Sequence, residues 1–201
     1  SRGANGKPIV ALTFDAGSDA GFTDQILDFL KAEHITASFG MTGKWVEQNP
    51  DAFRRIIADG HLLINHTYDH QSWTGYSTGK GPLSRDARAA EVTRAQDVFT
   101  ATAGVAAPTW YRPPYGDIDK DADALLGSLG YRYTAMWTID SLGWQGLSAE
   151  KIAARVNAGL GAGVIVLMHV GSQSQDANAL PAIVAAIRAA GLTPGSVADV
   201  V

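Results

Sequence analysis

The sequence predicts an α/β fold built on a largely parallel sheet. Short apolar runs, several of them β-branched, alternate with longer stretches of helical period from Ile9 to Ala190. The runs are too short for membrane spans and are bounded by Gly, Pro or polar residues, as buried strands are. No linker, repeat or low-complexity tract breaks the alternation, so a single domain is expected over residues 1–201. Six or seven strand–helix units suit either a doubly wound sheet or a barrel.

Ile9 to Phe14 reads as the first buried strand, bounded by Pro8 and the stretch from Ala16 to Gly21. Ile26, Leu27 and Leu30 recur at helical spacing within residues 23–34, with Thr23 as the expected N-cap. Residues 35–41 read as a second strand. Asn49-Pro50-Asp51 begins a helix, with proline at the first helical position, and Gly60 ends it. Residues 61–65 make a third strand. Residues 71–82 carry too much glycine to be anything but loop. A long amphipathic helix covers 84–102, and the strand at Trp110-Tyr111 stops before Pro113-Pro114. Helix 117–129, strand 131–139, helix 148–160, strand 164–168 and helix 177–190 complete the series.

Composition narrows the function. The 201 residues are 46% hydrophobic and carry a formal net charge of -4. That apolar fraction excludes a mainly disordered chain. Mild acidity argues against a nucleic-acid partner, which calls for a basic face. No apolar run reaches the roughly 20 residues of a membrane span. The opening residues SRGANGKP lack the apolar stretch of a signal peptide. With no Cys, thiolate metal sites and cysteine nucleophiles are excluded, so any metal must be held by His and carboxylate.

In parallel α/β folds, chemistry collects beyond the carboxyl ends of the strands. Asp15 follows the first strand, and His66 and His70 follow the third. Arg112 follows Trp110-Tyr111, Asp140 follows residues 131–139, and His169 follows Val164 to Met168. The topology predicts that these scattered residues converge on one rim. His66 and His70, four residues apart, can share an ion such as Zn²⁺, although such a pair in isolation is more often two solvated loop histidines. Asp15 can act as a general base or meet a metal, or it can simply close a turn next to Gly17. Arg112 can clamp a carboxylate with two nitrogens. His169 can serve as a general acid, and Asp140 can orient a histidine.

Together these residues carry a resemblance. Thr13-Phe14-Asp15, His66-Thr67-Tyr68-Asp69-His70, Arg112-Pro113-Pro114-Tyr115-Gly116, Asp140 with Trp144, and Leu167-Met168-His169 resemble, in order, five motifs of the polysaccharide deacetylases. This NodB-homology family is also called carbohydrate esterase family 4. The match runs from residue 9 to residue 169. It implies a distorted (β/α)7 barrel that hydrolyses N-acetyl or O-acetyl groups on a glycan such as peptidoglycan, chitin oligomers or acetylated xylan. It implies a divalent metal, most often zinc, on His66 and His70. Asp15 would be the general base with Arg112 as its partner, and His169 the general acid tuned by Asp140. The Tyr115 N–H would help hold the oxyanion, while Trp144 and Leu167 would line the acetyl pocket. A monomer that is secreted or associated with the cell wall is expected.

One position departs from the family pattern. The motif usually has a second Asp as metal ligand, where this chain has Ala16. Asp19 can supply the missing carboxylate if the loop 16–21 folds back, Asp15 can meet the metal itself, or the site can be weak or metal-free. Asp19 or water is the expected completion. Trp73 and Tyr76 in the loop 71–82 are candidates for sugar stacking, with burial of Trp73 in the core the slightly favoured alternative. Two other functions remain open: a glycosidase, disfavoured by the absence of a Glu pair, and a degenerate glycan-binding scaffold.

Overall fold

A computed structural model of the chain describes residue 3 and residues 6–201. Its centre is β1 (Ile9–Ala16), whose side chains are almost all buried on both faces of the sheet. Beside it lie β2 (Ser38–Met41), β3 (Leu62–Asn65), β4 (Trp110–Tyr111) and β5 (Tyr133–Thr134) on one side. On the other are β7 (Ile165–His169) and β6 (Ile139–Asp140). The ladder order is β5-β4-β3-β2-β1-β7-β6, and every pairing is parallel. β8 (Thr193–Gly195) pairs with the first half of β1. The seven strands on this path are those of the expected distorted barrel, with its two end strands sharing no ladder.

The expected single strand at 131–139 is instead two short strands at opposite ends of the sheet. Residues 135–138 carry the chain between those ends: Ala135 N–H donates to the Tyr111 carbonyl and Thr138 N–H to that of Ile165. An apolar run spanning this gap reads like a strand because burial, not pairing, fixes its composition.

Seven α-helices are present among the described residues: α1 (Thr23–Ala32), α2 (Gly43–Gln48), α3 (Pro50–Ala58), α4 (Arg85–Ala103), α5 (Lys120–Ser128), α6 (Ala149–Asn157) and α7 (Asp176–Ala189). Three starts follow the capping rule. Thr42, Ser84 and Asp119 each accept a backbone N–H three residues on. Thr23 does not cap α1; it is the first helical residue, and its hydroxyl donates to the Ala20 carbonyl. Pro50 opens α3 as expected. The short α2 has too few residues to show a helical period, and β8 contains a proline; neither was expected. Ile26, Leu27 and Leu30 of α1, Phe53 and Ile56 of α3, and Leu180, Ile183 and Ile187 of α7 bury against the strands in one large core. No helix among the described residues is long and apolar enough to cross a membrane.

Candidate active site

Strand register brings the site together. Asp15 lies opposite Gly40 of β2 and His169 of β7. Asn65, the last residue of β3, pairs with Tyr111 of β4, so His66 and Arg112 leave adjacent strand ends. Asp140 pairs with Leu167. The result is a cavity of about 780 Å³ at the carboxyl ends of the strands. Every residue predicted for the site lines it except Arg112, which is fully buried beneath.

Asp15 is the hub. Its Oδ1 accepts from Arg112 Nη1 at 2.7 Å, and its Oδ2 lies 3.4 Å from His66 Nε2. Gly40 makes room for it, since a Cβ there would strike Asp15 Oδ1. Arg112 reaches Asp15 with one nitrogen, not the two-pronged clamp expected. Its Nε is taken by the Ala135 carbonyl at 2.7 Å, and Nη1 is shared with Thr13 Oγ1 at 3.0 Å. Burial opposes the Asp15 charge, but Arg112, His66 and His169 outweigh it and hold the carboxyl below its usual range.

The two histidines are neutral donors in waiting. His66 Nδ1 sits 2.9 Å from the Arg112 carbonyl, which leaves Nε2 as the lone-pair nitrogen. Burial lowers the His66 pKa. It brings that of His70 down to about 3, with His66 adding to the effect. The rings lie edge to face with centroids 4.7 Å apart, and His70 packs on Tyr115 at 4.6 Å.

A zinc centre with three protein ligands does not fit these residues. Among those described, no group of three or more His, Asp or Glu side chains is placed to hold an ion. Ala16 lines the cavity without a donor atom. Asp19, the expected replacement, is committed elsewhere: it accepts from Ser172 N–H at 2.8 Å and Ser172 Oγ at 2.7 Å. Both oxygens of the Asp19 carboxylate are thus tied to the loop after β7, although the loop 16–21 lines the same cavity as the histidines.

The partner expected for His169 also changes. The Asp140 carboxylate turns back on its own loop, accepting from Leu142 N–H at 2.8 Å and Trp144 Nε1 at 3.3 Å. The carboxylate nearest His169 belongs to Asp176, fully buried at the start of α7. Asp176 Oδ2 accepts the His169 N–H at 2.8 Å and lies 3.8 Å from Nδ1, an ion-pair distance and too long for a hydrogen bond. Burial works against protonation of His169, but Asp176, Asp15 and, through its charge alone, Asp140 raise its pKa. Asp176 was missed because nothing in sequence marks a first-turn helical Asp as facing a strand-end histidine.

The substrate side is more open. Trp144 is 53% exposed and Tyr115 50%, while Leu167 is buried in the cavity wall. The hydrogen bonds of the Tyr115 turn run from Gly116 N–H to Pro113 and from Asp117 N–H to Pro114, and neither uses the Tyr115 N–H. Trp137, also missed, lines the same cavity. In the loop 71–82, Trp73 is fully buried against Tyr111, whereas Tyr76 is 90% exposed. Four non-glycine residues around the site hold positive φ: Thr67, His70, Tyr115 and Leu142, at 69°, 65°, 61° and 59°. Such strained backbone collects where side chains must be aimed.

The polysaccharide deacetylase family profile matches residues 2–134. The chain belongs to this family of polysaccharide deacetylases. It is 32% identical over 167 residues to a peptidoglycan-N-acetylglucosamine deacetylase of Bacillus cereus, covering 83% of this chain and 58% of that protein. A chitin deacetylase of Colletotrichum lindemuthianum is 36% identical over 174 residues, 80% of this chain and 66% of that one. The chain thus spans between about half and two thirds of these relatives. Among solved structures, the Bc1960 peptidoglycan N-acetylglucosamine deacetylase superposes with a TM-score of 0.89 at 28% identity, covering 99% of this polysaccharide deacetylase and 90% of that chain. A pseudoenzyme of the same esterase family from Bacillus anthracis shares the fold, with a TM-score of 0.89 at 24% identity over 99% and 67% of the two chains.

Proposed function

We propose that this polysaccharide deacetylase removes N-acetyl groups from an N-acetylglucosamine glycan, outside the cell or at its wall. The observation that carries the reading is the pairing of a charge-held Asp15 with a proton-favouring His169 on facing strand ends. Hydrolysis of an acetamide needs a base for the attacking water and an acid for the leaving amine, which departs poorly as an anion. Asp15, kept ionised by Arg112, is fit to take the proton from water. His169, whose protonated form is favoured by Asp176 against the cost of burial, is fit to give one to the nitrogen. The Tyr115 N–H, which the bonds of its own turn leave unused, would meet the charge that grows on the carbonyl oxygen; one such donor is worth about 3 kcal/mol in comparable sites. Trp144 and Leu167 supply apolar walls for the acetyl methyl and the sugar face.

Members of the family are generally metal-dependent, and His66 and His70 are the nitrogens this chain offers to an ion. Without a third protein donor placed beside them among the described residues, an ion held here would have to take the rest of its ligands from water. The missing ligand at Ala16 favours a second reading, a glycan-binding member that has lost the reaction.

Acetate and free-amine release from N-acetylglucosamine oligomers, set beside acetate release from acetylated xylan, separates these functions. The proposed activity gives acetate and amine in equal amounts from the oligomers. Acetate from xylan alone identifies an O-acetyl esterase, and oligomer binding without acetate identifies the non-catalytic member.

A further inference from the structure

The segment that carries both histidines is held in an unusual way. Thr67, Tyr68, Asp69 and His70 present four consecutive backbone N–H groups, and all four are satisfied by side chains. Thr67 N–H donates to Asn65 Oδ1 at 2.9 Å, and His70 N–H donates to Thr67 Oγ1 at 3.1 Å. Those two acceptors are local. The middle pair, Tyr68 and Asp69, both donate to one atom, Glu91 Oε2, at 3.2 and 3.1 Å. Glu91 lies on α4, more than 20 residues away, and is buried. The turn it grips has left-handed backbone at Thr67 and His70, which non-glycine residues hold only when their surroundings enforce it. Buried amides without acceptors are rarely tolerated, so loss of the acceptor forces the turn to move.

We propose that Glu91 is a positioning residue: by accepting two adjacent amides it fixes the His66–His70 turn and so sets His66 against Asp15 and His70 beside it in the cavity wall. The role concerns geometry, so it stands whether or not an ion occupies the site. Its consequence for catalysis rests on the function proposed above. Glu91→Asp keeps the charge and shortens the reach, Glu91→Gln keeps the reach and drops the charge, and Glu91→Leu removes the acceptor.

The test is long-range proton–nitrogen NMR of the histidine side chains in the metal-free wild type and the three variants, with His34 and His61, outside the cavity, as internal references. Glu91→Asp and Glu91→Leu are expected to shift the His66 and His70 signals and leave those two in place, while Glu91→Gln stays close to wild type. In the deacetylation assay kcat/KM falls about tenfold to a hundredfold in Glu91→Asp, mostly in kcat, and Glu91→Gln stays within about threefold. If Glu91→Leu does not fold, the Asp and Gln variants decide. Unchanged His66 and His70 signals in Glu91→Asp overturn the proposal. So does an equal shift of all five histidines, or a Gln variant perturbed as strongly as the Asp variant. A wild type without deacetylase activity removes the catalytic readout and leaves the spectra to judge the position.

Discussion

Asp15 shows how much one residue can depend on a single partner. Arg112 has no solvent exposure, and its charge is compensated by one carboxylate contact at 2.7 Å. Removing one member of a buried pair leaves an uncompensated charge and destabilises by about 3–5 kcal/mol. Asp15→Ala is therefore expected to lose that much in urea unfolding, whereas Asp15→Asn, which keeps an acceptor, loses less stability but all base function. His169 gives a prediction in pH. Its pKa is raised, so the protonated acid is present below that raised value and is lost as pH climbs through it. Asp176→Asn removes a negative charge beside Nδ1, so the alkaline limb of the kcat profile is expected to move to lower pH. The acid limb, which reports ionisation of Asp15, stays where it is. Asp15, His169 and the two histidines were legible in the sequence because strand-end polar residues break an apolar pattern. Asp176 and Glu91 were not, because each acts from a helix whose packing partner has no signature in the chain.

At the scale of elements, the parallel register does the aiming. β1 carries Asp15 between Gly40 and His169, so a change on β2 reaches the proposed base without touching substrate. Gly40→Ala places a methyl group on Asp15 Oδ1. Overpacking of this kind costs about 1–3 kcal/mol, and displacement of the carboxylate is expected to lower kcat on the order of a hundredfold, with KM little changed. The loops after β1 and β7 are joined by Asp19 and Ser172, and this engages the carboxylate that was expected to complete an ion site with His66 and His70. Ala16→Asp is expected to tighten zinc binding by calorimetry at least about tenfold, since it restores the second carboxylate of the first motif and adds the third protein ligand of an open catalytic site. Glycines at 17 and 21 permit many paths for the loop 16–21; in the fold Gly21 packs against the chain at Val170 to Ser172.

The whole molecule joins a well-marked fold to an incompletely marked site. Alternating strands and helices fixed the architecture because each strand of a parallel sheet must be buried and each crossover helix must cover it. The short elements escaped notice: α2, β8 and the split of 131–139 are too brief for their period to show. The barrel gathers the five motifs around one cavity and brings the proposed base and acid, Asp15 and His169, to paired strand ends, while Ala16 offers no donor to an ion there. Deacetylation of an N-acetylated glycan by the Asp15–His169 pair is the central claim. Its most direct test is the release of free amine from N-acetylglucosamine oligomers by the wild type, with Asp15→Asn as the paired control. Amine formed in step with acetate by the wild type, and by at least about a hundredfold less in Asp15→Asn, is the expected result. Equal release by both proteins, or none from a wild type that still binds the oligomers, contradicts it.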